Sequence, residues 1–240
     1  MTVQHRLTEV RDGEALLEAA LVHEPAALAP RPAILVFPTI MGRSELELGF
    51  ARRLAGLGYT AVVADLYGKE HIGKPREECR ALMMDLLGDR LRLQARLLAV
   101  LEAVRALPEV NPARVAAIGY CFGGLCALDL ARTGANVRGV ASFHGLLTPP
   151  GNREGIPIRA KVVAFHGWDD PMAPPASVEA LGAELTRAGA DWQVHAYGGV
   201  MHGFTNPAAN DPERGLAYDA AADRRSWKAL EAFLAECFAD

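Results

Sequence analysis

The sequence predicts an α/β domain in which helices cover both faces of a mostly parallel, twisted sheet. Three observations predict it. Short, continuous apolar runs such as residues 33–37 and 162–166 read as strands buried on both faces. Longer amphipathic segments alternate with those runs, which is the rhythm of parallel strands joined by helices. Half of the 240 residues are hydrophobic and 22% are charged, so the chain can bury a sizeable core. The length fits one domain over residues 1–240.

The elements follow in order. Residues 7–11 and 16–22 flank Asp12-Gly13, a tight-turn pair, and predict an N-terminal β-hairpin. Residues 33–37 are the first parallel strand and 38–42 a turn. A helix over 45–57 ends at Gly58, and a strand covers 60–65. Residues 76–107 are helical, with Leu93, Leu97, Val100, Leu101 and Val104 at helical spacing; Gly88-Asp89 is a candidate break and Pro108 the stop. Further strands are predicted at 114–119, 137–143, 162–166 and 192–197. Helices are predicted at 122–132, 177–188 and 218–238, the last with Trp227, Leu230, Phe233 and Leu234 on its apolar side.

Several function classes are disfavoured. The net charge is −4 and no Lys/Arg block appears, so nucleic acid is not an expected partner. No apolar run is long enough to span a bilayer, and the polar N-terminus does not read as a signal peptide, so a cytoplasmic location is expected. Cys79, Cys121, Cys126 and Cys237 form no CxxC pair, so no metal site is expected. Cys121 and Cys126 sit five apart on one predicted helix, roughly 8 Å between Cα atoms, too far for a disulfide.

Chemistry concentrates in Gly119-Tyr120-Cys121-Phe122-Gly123-Gly124, a G-x-C-x-G pattern between a predicted strand and helix. This is the nucleophile-elbow pattern with cysteine at the nucleophile position. A sharp, strained turn exposes the nucleophile there, and its neighbours must be small. The helix start beside it favours a thiolate. An acid and a base are then expected on loops after later strands. Asp170 follows the strand at 162–166, with Asp169 as its competitor, and His202 follows the strand at 192–197. His144, at another strand end, is expected to line the pocket, alongside an apolar set of Met41, Tyr67, Tyr120, Trp168, Met172 and Met201.

Those residues, with Pro174 after Asp170, Gly203-Phe204 after His202, and the Gly58-Tyr59 and Asp65-Leu66-Tyr67-Gly68 segments, resemble the dienelactone hydrolase (carboxymethylenebutenolidase) family over nearly the whole chain. The resemblance implies an α/β-hydrolase fold, a Cys121–His202–Asp170 triad, no cofactor and a small-molecule ester or lactone substrate. It implies a monomer, with a homodimer also compatible. Carried over, Cys121 attacks the carbonyl carbon, His202 moves the proton and Asp170 orients the imidazole. The backbone N–H groups of Phe122 and Ile40 would hold the oxyanion. Two positions depart from the family pattern. Thr39 stands where the family carries a glutamate, and Asn206 stands where it carries a substrate-gripping arginine; Arg76 and Arg80 are the candidates for a second family arginine. Thr39, Tyr120, His144, Trp168 and Asn206 are the expected substrate-contacting side chains. The alternatives are acyl transfer on the same site and a non-catalytic, thiol-sensing protein on this scaffold.

Overall fold

The computed structural model describes residues 4–24 and 29–239. Its eight long strands are those of one mostly parallel sheet, with helices between them. The chain clusters into two compact units, Met1–Ile118 and Gly119–Asp240.

In the first unit, β1 (Gln4–Asp12) and β2 (Ala15–His23) form the expected hairpin, with Asp12 opposite Ala15. Gly13 closes the turn at φ 58°, where a Cβ would be strained. β2 pairs antiparallel with β4 (Thr60–Val63), and β4 pairs parallel with β3 (Arg31–Phe37). Residues 33–37 of β3 are fully buried, as their unbroken apolar run predicts. α1 (Glu45–Gly56) starts at a capping box: the Ser44 side chain accepts from the Leu46 N–H, and Glu47 reaches back to the Ser44 N–H. The break expected at Gly88-Asp89 separates α2 (Arg76–Gly88) from α3 (Arg90–Arg105), and Asp89 caps α3 through the Arg92 N–H. Leu93, Leu97, Val100, Leu101 and Val104 are all buried, each worth roughly 1.5–3 kcal/mol.

β5 (Val110–Tyr120) carries the chain from the first unit into the second. There, β6 (Gly139–Phe143), β7 (Lys161–Gly167) and β8 (Trp192–Tyr197) are parallel neighbours in that order. α4 (Phe122–Arg132) is buried along its whole length, including Asp129 and Arg132. Arg132 is satisfied there by Asp129, by both oxygens of Glu184, and by the carbonyls of Leu147 and Thr148. α5 (Pro175–Arg187) begins two residues before the expected start, because a proline suits the first helical turn. α6 (Ala220–Cys237) begins later than expected. Asp219 accepts from the Ala221 and Ala222 N–H groups and sets the start, which leaves Tyr218 outside the helix. A two-stranded ribbon, β9 (Asn210–Asp211) with β10 (Leu216–Ala217), was not foreseen; two-residue strands carry no periodic signal. Among the described residues, no helix is long and apolar enough to cross a membrane.

Candidate active site

Cys121 sits where β5 ends and α4 begins, with φ 56° and ψ −115°. That left-handed conformation in a non-glycine residue costs about 1–3 kcal/mol. It persists because the surroundings fix it. The Cys121 N–H donates to the Phe143 carbonyl at 3.0 Å, and its own carbonyl accepts from Gly124 N–H at 3.0 Å. Gly119 is required beside it: a Cβ there would lie 1.9 Å from the Gly123 carbonyl oxygen. The sharp turn leaves Cys121 partly exposed while its flanks, Tyr120 and Phe122, are buried. The glycine at position 119 therefore answers a real steric demand.

The acid and histidine loops meet in the same unit. Asp170 lies after β7 and is 1% exposed; its Oδ2 is 2.7 Å from His202 Nδ1. Its other oxygen, Oδ1, accepts from the Met172 N–H at 2.8 Å, which fixes the carboxylate plane. Asp169 is exposed, so of the two candidates Asp170 is the one that meets the histidine. The loops can approach this closely because residue 167 is glycine. A Cβ there would fall 2.5 Å from the Val200 carbonyl oxygen and 2.7 Å from that of Met201. Gly215 likewise leaves room for Pro171, 2.2 Å from where its Cβ would be. His202 itself is held by backbone bonds to Gly215 and Ala217. The short β9–β10 ribbon thus positions the histidine, a part that sequence reasoning missed.

His202 Nε2 is buried and meets no acceptor at strict hydrogen-bond geometry. With Nδ1 taken by Asp170, Nε2 is the nitrogen left for Cys121, whose influence raises the His202 pKa. Burial alone would discharge this imidazole. The negative charge of Cys121, the hydrogen bonds His202 donates to Asp170 and Cys121, and the Asp170 charge together outweigh burial and hold its pKa up at about 10. The arrangement favours the charged form of His202.

Two neutral histidines flank it. His144, at φ 37°, is 2% exposed; its Nε2 pairs with Thr205 Oγ1 at 2.8 Å, and its ring lies edge-on to His202 at 5.1 Å. Burial, then the charge of His202, pushes its pKa well down. His166 is lowered too, mainly by burial, against the pull of Asp170.

The remaining expected contact residues fall in varied places. Tyr120 is 1% exposed and stacks on Phe143 at 4.6 Å, so its ring belongs to the core under the elbow. Trp168 and Met172 are exposed, and Met201 is half-buried. Asn206 spends its side-chain oxygen on the Ala208 N–H, a local turn. In the first unit, Ile40 accepts from the Tyr67 hydroxyl at 3.1 Å, and Thr39 N–H donates to Glu47 Oε1 at 3.0 Å. Glu47, fully buried, therefore shapes the turn after β3; its Ser44-x-x-Glu47 spacing was a readable signal. Asp65 does the same for the turn after β4, accepting from Tyr67 and Gly68 N–H groups. Arg76 and Arg80 are exposed on α2. Among the described residues, no group of three metal-ligating side chains occurs.

Comparison with known proteins agrees with this architecture. The dienelactone hydrolase family model matches residues 17–238. An uncharacterized protein of Caenorhabditis elegans is 40% identical over 154 residues, 62% of this chain and 96% of that one. A carboxymethylenebutenolidase of Pseudomonas putida is 27% identical over 197 residues, 80% of this chain and 82% of that one. Among solved structures, a dienelactone hydrolase-like promiscuous phosphotriesterase from metagenomic libraries is 36% identical, with 99% of each chain covered and a TM-score of 0.91. The chain belongs to the dienelactone hydrolase family and is a dienelactone hydrolase-like hydrolase of the α/β-hydrolase fold.

Proposed function

We propose that this hydrolase cleaves carboxylic esters or lactones through an acyl-enzyme on Cys121. The observation that carries the reading is the 2.7 Å contact between Asp170 and His202, with His202 charged beside a strained, partly exposed Cys121. The thiolate attacks the carbonyl carbon. The oxyanion is taken by the backbone N–H of Phe122, a donor worth about 2.7–4 kcal/mol. The imidazolium gives its proton to the leaving alkoxide, and the C–O bond breaks. The neutral imidazole then takes a proton from water as the water attacks the thioester, and Cys121 leaves as thiolate. Asp170 keeps the Nδ1–H tautomer throughout.

A hydroxyl at Thr39 is no base near neutral pH, and it already accepts from the Met41 N–H. Activation therefore rests on His202 and the start of α4. Trp168 is assigned substrate contact. Tyr120 and His144 act from beneath, given their burial, and Asn206 shapes the histidine loop. With no family arginine at Asn206, uncharged esters and lactones are the preferred class. Cytoplasmic residence accords with four free thiols.

A second substrate class is favoured by the 36% identity to a promiscuous phosphotriesterase. The same thiolate would attack phosphorus in an aryl dialkyl phosphate and expel the aryloxide. A panel of aryl esters, lactones and such a phosphate, assayed with the wild type and Cys121→Ala, tests both readings. Loss of turnover in the variant is expected; equal turnover by both proteins would remove the proposal.

A further inference from the structure

We infer that His144 is a positioning residue of this hydrolase: its bond to Thr205 ties the turn after β6 to the histidine loop and holds the His202 imidazole with Nε2 toward Cys121. The inference rests on the Cys121–His202–Asp170 reading and adds to it a role outside the triad. His144 follows directly on Phe143, the last residue of β6. Its φ of 37° is left-handed backbone that a residue with a side chain rarely adopts. The strain is held in place by a 2.8 Å bond from the His144 N–H to the Phe165 carbonyl of β7. Its Nδ1 is buried and meets no hydrogen-bond partner among the described residues. Strained backbone and an unsatisfied buried nitrogen both cost stability. A residue that carries both costs is held for something other than the stability of the core.

Its contacts show what that is. The His144 ring lies edge-on to His202 at 5.1 Å and 66°, and edge-on to Phe204 at 5.1 Å and 82°. Its Nε2 is 2.8 Å from Thr205 Oγ1. One side chain thus reaches the triad histidine and two of the three residues that follow it. Phe204 and Thr205 are both buried, so water does not compete for these contacts. Asp170 sets the position of His202 Nδ1, and backbone bonds to Gly215 and Ala217 set its main chain. One hydrogen bond at Nδ1 still lets the ring rock. A second ring packed against it, itself tied to the same loop, restricts that rocking.

Charge fits the same role. Burial, then the charge of His202, keeps His144 neutral, so it sets no second positive charge beside a protonated His202. The other rings around it, Tyr120 and Phe204, are uncharged too. A phenylalanine at 144 would present a ring to the same neighbours but could not bond Thr205. The hydrogen bond is therefore what an imidazole adds at this position.

Wild type, His144→Phe, Thr205→Val, Thr205→Ser and the double variant His144→Phe/Thr205→Val test this, with Cys121→Ala as control. Two quantities are read: kcat and KM for an aryl ester, and the titration of the His202 imidazole by nitrogen NMR. His144→Phe and Thr205→Val are each expected to lower kcat about tenfold to a hundredfold with KM within about twofold, as a small misplacement of a catalytic group does. Each is expected to move the His202 titration down by about one pH unit. The double variant is expected to be no slower than the slower single variant, because each change removes the same bond. Thr205→Ser keeps the hydroxyl and is expected to keep most of the rate. Circular dichroism verifies folding, and either single variant suffices if the other does not fold. An unmoved His202 titration in a folded Thr205→Val or His144→Phe overturns the inference, and so does a kcat within about twofold of wild type. Turnover by Cys121→Ala equal to wild type would sink the triad reading instead; the His202 titration needs no turnover and still decides the role of His144.

Discussion

Asp170→Asn is the perturbation that tests the site most sharply, because the structure lets the amide fit while reversing its chemistry. Asp170 is 1% exposed and uses both oxygens: Oδ2 on His202 Nδ1, Oδ1 on the Met172 N–H. In the variant the amide oxygen keeps the Met172 bond, so the loop stays in place. The amide nitrogen is then forced toward His202, and it can only donate. His202 must turn Nδ1 into an acceptor, which puts the ring's proton on Nε2. An Nε2–H cannot take a proton from Cys121 or from water. The carboxylate charge that helps hold the His202 pKa at about 10 is removed as well, so the proposed ion pair with Cys121 is expected to collapse toward neutral thiol and imidazole. The corresponding exchange in serine triads costs about 10⁴-fold. Here a fall of about 10³- to 10⁴-fold in kcat/KM is expected, about 4–5.5 kcal/mol. The assay is aryl-ester turnover together with the pH dependence of Cys121 alkylation by iodoacetamide. The alkylation profile is expected to shift to higher pH. A variant within tenfold of wild type, with an unshifted alkylation profile, would refute the reasoning.

Three further outcomes follow from the geometry of the site. Gly119→Ala places a methyl group against backbone, 1.9 Å from the Gly123 oxygen, and is expected to cost more than about 2 kcal/mol and most activity; urea unfolding checks it. Gly167→Ala should separate the acid and histidine loops, since its Cβ meets two carbonyl oxygens of the histidine loop. Activity should fall more than the melting temperature accounts for, and a fully active variant would show that the loops need not touch. Acid stability depends on His144 and His166, both 2% exposed and both with depressed pKa values, chiefly from burial. Their unfolded forms take up protons below about 6.5 while the folded forms resist, so the unfolded state binds more protons and stability falls as pH falls. Each contributes up to about 1.4 kcal/mol per pH unit. Comparing urea midpoints at about pH 7 and about pH 5 checks it; equal midpoints would contradict it. His202 has the opposite sign: its pKa is raised to about 10, so the stability it confers is lost as pH rises toward that value.

The legible parts of the molecule were those where one local rule decides the outcome. The unbroken apolar run in β3, the helical spacing of Leu93 to Val104, and the break at Gly88-Asp89 all appear as expected. The elbow was legible because Gly119 answers a steric demand between neighbours in sequence, its Cβ meeting the Gly123 backbone. The contact of Asp170 rather than Asp169 with His202 was only partly legible. Both follow the same strand, and burial separates them only when the loops pack. The β9–β10 ribbon, Glu47 under the turn after β3, and Arg132 tied to Glu184 fifty-two positions away were not read. The ribbon is too short for a period. The other two are polar groups paid for by partners distant in the chain or hidden in a cap, and single-residue propensity treats such groups as surface.

The most direct test of the account is the mass of the intact protein, taken during turnover of an aryl ester and followed by peptide mapping. The account predicts one transient acyl increment, carried by the peptide containing Cys121, absent from Cys121→Ala and persisting longer in Asp170→Asn. Turnover with no increment on that peptide, or with the acyl group on another side chain, would contradict it.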